Sequence, residues 1–425
     1  MIDIRLLRQD PERIRQAVLL KQAGDPALVD QILRLDEERR RLQAEADRLR
    51  AELNALSRQI GQLMGQSRQE EASAIKTQTA ELKYCIRQLE ERLQAIESEQ
   101  EALLLQIPNP PHPSVPVGRS ASDNQVVRIW GDPRPSEGLR PHWEIAEALG
   151  IIDFARGAKV SGSGFPFYVG MGARLQRALI AFFLDEAARR GYLEMEPPLL
   201  VNASSARGTG QLPDKEDLMY VIERDELYLV PTAEVPLTNY YRDELLEEDA
   251  LPIRLCAYTP CFRREAGSYG RDVRGLNRLH QFDKVELVRI AHPEQSYAEL
   301  ESLREDAERL LQLLGLPYRV LLMCTADLGF TPAKKYDLEV WSPAQSRWLE
   351  VSSVSNFEDF QARRMNLRFR PRDGSRPRLV HTLNGSGLAL PRVVAALLEH
   401  YQTREGRVRV PEVLVPYLNA EWLSI

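Results

Sequence analysis

The sequence has few cysteines, few histidines and no long apolar run. Its 425 residues include four cysteines and six histidines, and Cys85, Cys256, Cys261 and Cys324 form no CxxC pair. A disulfide framework or a metal cluster needs closely spaced ligands, so we expect reduced thiols, no metal cluster and a cytoplasmic protein. Neither an N-terminal apolar signal segment nor a run of about 18 apolar residues is present. We therefore expect neither secretion nor a membrane span.

A strong charge of one sign is also missing. The net charge is −6, with 43% hydrophobic and 28% charged residues. A chain of this length and composition can form two or three domains with a hydrophobic core. Its mild acidity gives no overall attraction to nucleic acid, so any contact with RNA requires a local basic surface.

Proline is absent from residues 27–106, where the only glycines are Gly61 and Gly65. Just before this stretch, Asp10 and Pro11 have the pattern of a helix start. Apolar residues then repeat every seven positions in two series. The first series comprises Ile32, Leu35, Leu42, Ala46, Leu49, Leu53, Leu56, Ile60 and Leu63, with Arg39 as an interruption. The second comprises Ile75, Leu82, Ile86, Leu89, Leu93, Ile96 and Leu103. We predict two coiled-coil helices, each about 35 residues or roughly 50 Å long.

The two series are separated by Gly61, Gly65 and Ser67, so the helices are predicted to fold back antiparallel. Their outer faces carry arginines interspersed with acids. These arginines are Arg40, Arg41, Arg48, Arg50, Arg58, Arg68 and Arg87. Mixed charge of this kind is typical of a solvated helix face. Taken alone, the pattern favours a dimerisation coiled coil or a spacer.

A proline-rich stretch follows the heptads. Residues 107–117 contain five prolines, which cannot continue a helix and favour an extended spacer. The predicted organisation is a helical domain over 1–106, a linker over 107–118 and a second domain over 119–425, in which strands and helices mix.

The most informative stretch of the second domain is Phe262–Glu286. Two strand-like runs, 254–262 and 280–286, flank a loop with three glycines. Alternation in the second run puts His280, Phe282, Lys284 and Glu286 on one face. The arginines that gather around the loop are Arg263, Arg271, Arg274 and Arg278. Guanidinium groups suit phosphate and aromatic rings suit nucleobases, so the stretch predicts a site for such a ligand. A basic β-hairpin with a solvated loop is the alternative.

Further segments combine apolar runs with polar residues. Residues 174–190 have the apolar spacing of a helix, and 193–201 is a strand-like run with two prolines, which belongs at a sheet edge. Thr232 ends another strand-like run, where a helix cap is the default interpretation. In the stretch 383–392, glycines allow close backbone approach and Pro391 suits the first turn of a helix.

Residues 262–286 resemble motif 2 of the class II aminoacyl-tRNA synthetases. The Phe-Arg-Arg-Glu-Ala-Gly-Ser start, followed by His-Gln-Phe and Lys-Val-Glu, is similar to the seryl-tRNA synthetase family in particular. The segment 174–201 resembles motif 1, and 383–392 resembles motif 3. The predicted coiled coil stands where bacterial-type members carry a helical arm that holds tRNA. The resemblance thus covers nearly the whole chain.

The resemblance implies an α+β fold, with an antiparallel-sheet catalytic domain after an antiparallel two-helix arm. It also implies an ATP-dependent ligase that converts L-serine to seryl-adenylate and transfers serine to the 3′ end of tRNA(Ser). It leaves open whether tRNA(Sec) is charged as well. ATP would be a substrate, Mg²⁺ would assist, the arm would grip the tRNA, and motif 1 would form the interface of a homodimer.

The resemblance also implies roles for individual residues. The serine-binding positions correspond to Thr232, Ala233, Glu234, Arg263, Glu286, Asn384 and Ser386. The ATP-binding positions correspond to Arg263, Arg264, Glu265, Leu279, Phe282, Glu350, Val351, Ser352, Ser353 and Arg392. Arg263, Glu265 and Arg392 would be catalytic. Phe282 and Arg392 would sandwich the adenine ring, and Glu286 would hold the serine ammonium group.

The implied Mg²⁺ ligands, Glu350 and Ser353, raise a geometric difficulty. Positions of opposite parity point to opposite faces of a regular strand. The assignment therefore requires a bulge or a strand end between them. If neither is present, Glu350 is a structural residue on an ordinary strand.

Two other functional classes share part of this pattern. A tRNA-independent ligase that loads an amino acid onto a carrier protein could share the catalytic motifs, but it would have no use for the arm. A structural coiled-coil protein with a vestigial domain is expected to have lost Arg263, Glu286 or Arg392, and all three are present.

Overall fold

The computed structural model of the chain describes residues 1–214, 217–265 and 274–423. The chain forms two units, Met1–Pro108 and Asn109–Ile425. Within the described residues, no helix is long and apolar enough to cross a membrane.

The first unit is helical. Its helices are α1 (Ile4–Gln9), α2 (Pro11–Leu20), α3 (Leu28–Gly65) and α4 (Gln69–Leu104). The predicted helix start is confirmed, because the Asp10 side chain accepts a hydrogen bond from the Arg13 backbone N–H and Pro11 is the first residue of α2. Such a cap satisfies one of the free N–H groups of the first turn.

Helices α3 and α4 form the predicted antiparallel pair. Far from the turn that joins the two helices, Gln100 Nε2 lies 3.5 Å from the Ile32 carbonyl oxygen. Closer to the turn, Arg50 Nη2 lies 2.6 Å from Glu90 Oε1. Gly61 does not interrupt the helix, since α3 continues to Gly65. The chain reverses at 66–68, where Ser67 has a φ of 60°.

The seam between α3 and α4 follows the heptads. Leu42, Ala46, Leu93 and Ile96 form a buried cluster, and the remaining apolar seam positions are buried or half-buried. Arg39, the interruption, lies 3.4 Å from a carboxylate oxygen of Asp36. A seam of this width is a narrow core, so much of the surface of both helices stays in solvent.

An eight-stranded sheet organises the second unit. Its order is β1 (Gln125–Trp130), β11 (Tyr318–Leu322), β12 (Lys334–Ser342), β13 (Arg347–Asn356), β16 (His381–Ala389), β10 (Gln281–Ala291), β9 (Ile253–Phe262) and β4 (Leu193–Glu194). Neighbouring strands are antiparallel, except for the parallel pair of β4 and β9. The antiparallel-sheet prediction is thus confirmed.

Short strands and helices surround this sheet. The other strands are β2 (Ile152–Asp153), β3 (Phe167–Tyr168), β5 (Leu200–Asn202), β6 (Val221–Ile222), β7 (Leu227–Leu229), β8 (Leu245–Glu247), β14 (Arg368–Arg370), β15 (Arg378–Leu379), β17 (Val408–Arg409) and β18 (Trp422–Leu423). The helices are α5 (His142–Ala148), α6 (Phe154–Ser161), α7 (Met171–Arg189), α8 (Ala203–Thr209), α9 (Glu234–Asn239), α10 (Ser296–Leu313), α11 (Phe360–Arg364), α12 (Leu390–His400) and α13 (Val415–Leu418). The largest buried cluster joins α7, α10 and α12 to the central strands.

The strand-like run 193–201 is not one strand. It divides into β4 at the edge of the large sheet and β5 in a separate three-stranded sheet. Between them lie Pro197 and Pro198, which have no N–H to donate to a ladder. The predicted edge position is confirmed for β4, whose Leu193 is 59% exposed.

The proline-rich stretch is divided between the two units. Ile107 and Pro108 end the first unit, and the residues from Asn109 onward belong to the second. The Asn109 amide donates hydrogen bonds to the carbonyl oxygens of Thr331 and Phe357, at 3.0 and 2.8 Å. Val115 packs in a buried cluster with Leu321, and the Gly118 backbone N–H donates to Thr325 Oγ1 at 3.2 Å. Both ends of the stretch 109–118 are therefore held by residues of the second unit.

Candidate active site

A cavity of about 420 Å³ opens on the central strands of the second unit. This volume suits a small-molecule ligand. Many predicted site residues line it: Thr232, Glu234, Arg263, Glu265, Leu279, Phe282, Glu350, Val351, Ser352, Ser353, Asn384, Ser386 and Arg392. They come from segments spread along the chain from Thr232 to Arg392, and the sheet order brings them together.

Strand register aligns the polar side chains. On β10, Glu286 is opposite Ser386 of β16, and Val288 is opposite Asn384. The pairing shifts between Lys284 and Glu286, where β16 has one extra residue. This bulge lies beside the predicted serine-binding residues of β16, and bulges commonly re-aim side chains near active sites.

A second bulge resolves the parity of Glu350 and Ser353. Ser352 is opposite Leu338 and Glu350 is opposite Glu339, so Val351 is an extra residue on β13. Glu350 and Ser353 both line the cavity, together with the buried Val351 and with Ser352 between them. The bulge that the predicted pair required is therefore present. One extra residue shifts the alternation of side chains along the strand, so positions of opposite parity can point to the same face.

Thr232, Lys284 and Glu286 form a hydrogen-bonded group at one end of the cavity. The Thr232 hydroxyl donates to Glu286 Oε2 at 2.8 Å, and Lys284 Nζ donates to Thr232 Oγ1 at 2.8 Å. Lys284 also forms an ion pair with Glu286. Glu286 is fully buried behind these two lining residues, and its Oε1 atom has no hydrogen-bond partner among the described residues.

Glu234 lies beside this group and has a different environment. Its Oε1 accepts from Gln361 Nε2 at 2.7 Å, and its Oε2 accepts from Asn384 Nδ2 at 2.8 Å. Burial, and then the negative charge of Glu286, raise the pKa of Glu234 to about 7. The Oδ1 atom of Asn384 is buried without a described partner. This part of the cavity thus offers acceptor atoms suited to a ligand with several N–H or O–H donors.

The other end of the cavity carries an aromatic ring and cations. The Arg263 guanidinium lies over the Phe282 ring at 5.2 Å from its centre. Arg392 donates from Nε to the Asn277 carbonyl oxygen at 2.9 Å and from Nη1 to the Glu350 carbonyl oxygen at 2.8 Å. Guanidinium groups beside an aromatic ring suit a nucleotide, with the phosphates on the cations and the base on the ring.

Some predicted site residues do not line the cavity. Ala233 packs in a small hydrophobic cluster with Leu237 and Leu255. Arg264 forms an ion pair with Asp217 at 3.1 Å. Among the loop arginines, Arg274 lies over the Trp143 ring. Arg271 was also predicted to gather around the loop, but it lies outside the described residues.

Thr232 and Glu265 have local geometries that bear on the sequence interpretation. The Thr232 hydroxyl accepts from the backbone N–H of Glu234, the first residue of α9, at 3.2 Å. The cap-like contact and the site position are therefore both present. Glu265 forms an ion pair with Arg278 and has a φ of 49°. Non-glycine residues seldom adopt this conformation, which concentrates at functional sites.

Sequence reasoning missed several residues of the site. Lys284 was placed on the correct strand face but given no role, and Asn277 and Gln211 also line the cavity. Gln361 and Asp337 contact lining residues from behind. Parity along β10 could have indicated Lys284. No local signal marks Gln361, because only tertiary packing brings α11 beneath Glu234.

Glu350 and Ser353 offer oxygen atoms suited to a Mg²⁺ ion that is also bound by a nucleotide. The Ser353 hydroxyl donates to Asp337 Oδ1 at 2.7 Å, which leaves its oxygen lone pairs available. Carboxylate and hydroxyl oxygens are the hard ligands that Mg²⁺ prefers, usually together with nucleotide phosphates. Among the described residues, no cluster of three or more His, Cys, Asp or Glu side chains could hold a metal alone. The donor set fits an ion that a nucleotide brings with it.

Comparisons with known proteins identify the family. Residues 1–111 match the model of the seryl-tRNA synthetase N-terminal domain, and residues 220–401 match that of the class II tRNA synthetase core domain for G, H, P, S and T. A serine–tRNA ligase from Salinibacter ruber is 58% identical over 418 residues, covering 98% of both chains. The chain belongs to the serine–tRNA ligase family.

Other members of the family agree with this result. A serine–tRNA ligase from Carboxydothermus hydrogenoformans is 52% identical and covers 99% of both chains. The crystal structure of seryl-tRNA synthetase from Pyrococcus horikoshii complexed with ATP has 38% identity and a TM-score of 0.93, over 100% of this chain and 99% of that one. The predicted family, α+β class II fold and ATP-dependent serine–tRNA ligase activity are confirmed.

Proposed function

We propose that this cavity activates L-serine with ATP and then transfers the serine to the 3′ end of tRNA(Ser). The observation that carries the proposal is the division of one cavity into two chemically different ends. One end holds Thr232, Glu234 and Asn384, and the other holds Arg263, Phe282 and Arg392. A small amino acid with a hydroxyl group suits the first end, and a nucleotide suits the second.

In the first step, a serine carboxylate oxygen attacks the α-phosphorus of ATP and pyrophosphate leaves. Arg263 would bridge the serine carboxylate and the α-phosphate, since its guanidinium lies over the Phe282 ring and its Nε donates to the carbonyl oxygen of Pro231, the residue before Thr232. Its fixed positive charge compensates the charge that accumulates on the phosphate oxygens in the transition state. Phe282 and Arg392 would hold the adenine ring, and Glu265 would contact its edge. No side-chain nucleophile is required, because catalysis rests on positioning and electrostatics.

Serine would be held by the polar end of the cavity. An ammonium group has three donors, and Glu286 Oε1 and Asn384 Oδ1 are acceptors without described partners. Glu286 would therefore serve the ammonium group from its buried position, with Thr232 and Glu234 as neighbouring partners and Ser386 beside them. Glu350 and Ser353 would hold Mg²⁺, which when bound would neutralise and orient the ATP phosphates.

In the second step, a ribose hydroxyl of the terminal tRNA adenosine attacks the carbonyl carbon of seryl-adenylate, and AMP leaves. We propose that the arm formed by α3 and α4 grips tRNA(Ser), mainly through phosphate contacts and shape. Exposed arginines on both helices support this role. We further propose a homodimer through the motif 1 segment and a cytoplasmic location, where charged tRNA is used.

Serine-dependent exchange of pyrophosphate into ATP, measured without tRNA, tests the first step. Across the amino acids, serine should support exchange and alanine should support it poorly. Alanine leaves buried hydroxyl partners unpaired, at a cost of about 1–3 kcal/mol for each group. Equal exchange with serine and alanine would contradict the assignment of the polar end.

A further inference from the structure

Gln361 is a fully buried glutamine behind the polar end of the cavity. It belongs to α11 and does not line the cavity itself. Its side chain is nevertheless bonded at both ends. A buried amide with this many directed hydrogen bonds orients its neighbours, because each bond fixes which atom donates and which accepts.

The hydrogen bonds around Gln361 run in one direction. The Thr382 hydroxyl donates to Gln361 Oε1 at 2.7 Å. The Gln361 amide nitrogen donates to the Thr209 carbonyl oxygen at 3.1 Å and to Glu234 Oε1 at 2.7 Å. Because the Thr209 carbonyl oxygen can only accept, the group near it and near Glu234 is the amide nitrogen, and the amide oxygen is left to accept from Thr382.

Asn384 completes the arrangement from the other side. Its amide nitrogen donates to Glu234 Oε2 at 2.8 Å, so each carboxylate oxygen of Glu234 accepts from a neutral amide. An ionised carboxylate accepts at both oxygens, whereas a protonated one must donate from one of them. The geometry therefore favours the charged form of Glu234 and holds it in one orientation at the cavity wall.

We infer that Gln361 is a positioning residue that keeps Glu234 oriented and charged as an acceptor for bound serine. The inference rests on the proposed function, in which Glu234 belongs to the serine-binding end. Gln361 does not line the cavity and would contact neither the substrate nor the reacting atoms, so it would act only through Glu234.

The surroundings of Glu234 explain why a hydrogen bond from Gln361 matters for its charge. Burial and the neighbouring Glu286 raise the pKa of Glu234, whereas the hydrogen bond from Gln361 lowers it, as do the charges of Lys284 and Arg263. These opposing effects bring the pKa of Glu234 to about 7. Loss of the amide donor therefore shifts the pKa upward, and at neutral pH the carboxyl group becomes protonated and poorer as an acceptor.

The test is serine-dependent pyrophosphate exchange by the full chain, measured between about pH 6 and about pH 9, which brackets the titration of Glu234. In the wild type, the KM for serine should rise as the pH falls through the pKa of Glu234. In Gln361→Met the rise should begin at higher pH. If the pKa of Glu234 moves up by about one from its value of about 7, the ionised fraction near neutral pH falls from about a half to about a tenth, so the serine KM there should be about fivefold larger. The KM for ATP should not change, and kcat should change less than the serine KM.

A second substitution reverses the pH dependence. Gln361→Glu keeps the shape but places a second carboxyl group against Glu234. Two carboxyl groups in contact cannot both ionise readily, and a shared proton restores one donor. The serine KM of Gln361→Glu should therefore fall as the pH is lowered, opposite to the wild type. A purely structural role for Gln361 would not produce this reversal.

Controls separate this inference from the proposed function. Gln312→Met removes a glutamine amide that donates to the Tyr318 hydroxyl on the far side of the sheet, and it should leave the serine KM unchanged. If Glu234→Gln leaves the serine KM unchanged, the proposed serine-binding end is wrong. If Glu234→Gln raises the serine KM but both Gln361 variants keep the wild-type KM and pH profile, the role of Gln361 is overturned, whatever their melting temperatures.

Discussion

At the scale of single residues, the candidate site contains paired charges and also buried acceptor atoms that have no described hydrogen-bond partner. Lys284 and Glu286 pair with each other, yet Glu286 Oε1 and Asn384 Oδ1 remain unbonded within the described part of the chain. Buried polar atoms without partners cost free energy of about 1–3 kcal/mol each. Their persistence at one end of a cavity is explained if a ligand with donor groups binds there.

Phe282 allows the two ends of the cavity to be tested separately. Phe282→Leu should raise the KM for ATP about tenfold, because base stacking on an aromatic ring contributes about 1–3 kcal/mol. The KM for serine should change little, since the ring lies at the nucleotide end. Pyrophosphate exchange at varied ATP and then varied serine measures both constants.

The matched control for this experiment is Phe262→Leu, which removes a ring from the neighbouring strand β9 at a position that does not line the cavity. It should leave both constants near the wild-type values. A parallel increase of the ATP and serine constants in Phe282→Leu would show that the two ends are not chemically separate.

At the scale of elements, the bulge in β13 decides the predicted Mg²⁺ site. It places Glu350 and Ser353 at one cavity although their numbers differ in parity. Glu350→Gln should raise the Mg²⁺ concentration needed for half-maximal exchange by about tenfold, since loss of a charged ligand weakens a hard-cation site. Electron paramagnetic resonance of Mn²⁺ with ATP measures the same change by binding alone.

Glu339 gives the matched control for the bulge. It lies directly opposite Glu350 in the register of β12 and β13 but does not line the cavity. Glu339→Gln should leave the Mg²⁺ requirement unchanged. Equal effects of the two substitutions would indicate a general electrostatic effect of the sheet and would remove the ligand role of Glu350.

The arm provides a second prediction at this scale. Arg41 and Arg48 are exposed on α3, whereas Arg50 is engaged by Asp47 and Glu90. Arg41→Glu and Arg48→Glu should weaken tRNA(Ser) binding and lower its salt dependence, by about one unit of slope for each lost phosphate contact. Arg50→Glu should have the smaller effect on the slope, because its guanidinium already has protein partners.

Binding titrations at several salt concentrations measure these slopes. Serine-dependent pyrophosphate exchange without tRNA is the control and should be the same in all three variants. The proposal that this part of the arm binds phosphates fails if neither Arg41→Glu nor Arg48→Glu changes the slope.

At the scale of the whole molecule, each of the two units has its own core. The α3–α4 seam has a buried cluster of its own, and the largest cluster of the second unit contains only residues of that unit. Replacing residues 30–102 with a short flexible linker should therefore leave pyrophosphate exchange intact. Aminoacylation should fall strongly, because the proposed tRNA grip is removed.

Light scattering of the same armless variant tests the proposed dimer. Exposed apolar side chains such as Phe167, Leu193 and Leu200 lie in or beside the motif 1 segment, and they remain in this variant. The armless chain should still be a dimer at micromolar concentration. A monomer, or wild-type aminoacylation of full-length tRNA(Ser), would contradict the corresponding part of the proposal.

The sequence by itself determined that a helical arm precedes a mixed α and β domain, and it determined most of the residues that line the cavity. Heptad spacing predicted α3 and α4, since burial of a seam requires that period. Alternation predicted that Phe282 and Lys284 share a face, because side chains of a strand point to opposite faces in turn. The motif residues Arg263, Glu234 and Arg392 were found through resemblance, and all three line the cavity.

Only the tertiary structure decided the features that depend on contacts distant in sequence. The bulge at Val351 arises from the pairing of β12 with β13, which no local pattern encodes. The position of Gln361 beneath Glu234, and the burial of Glu286 behind Lys284 and Thr232, follow from how separate segments pack. Strand register and side-chain hydrogen bonds depend on how the whole chain packs and on which buried polar groups find partners. They can therefore be seen only when the strands and helices are assembled.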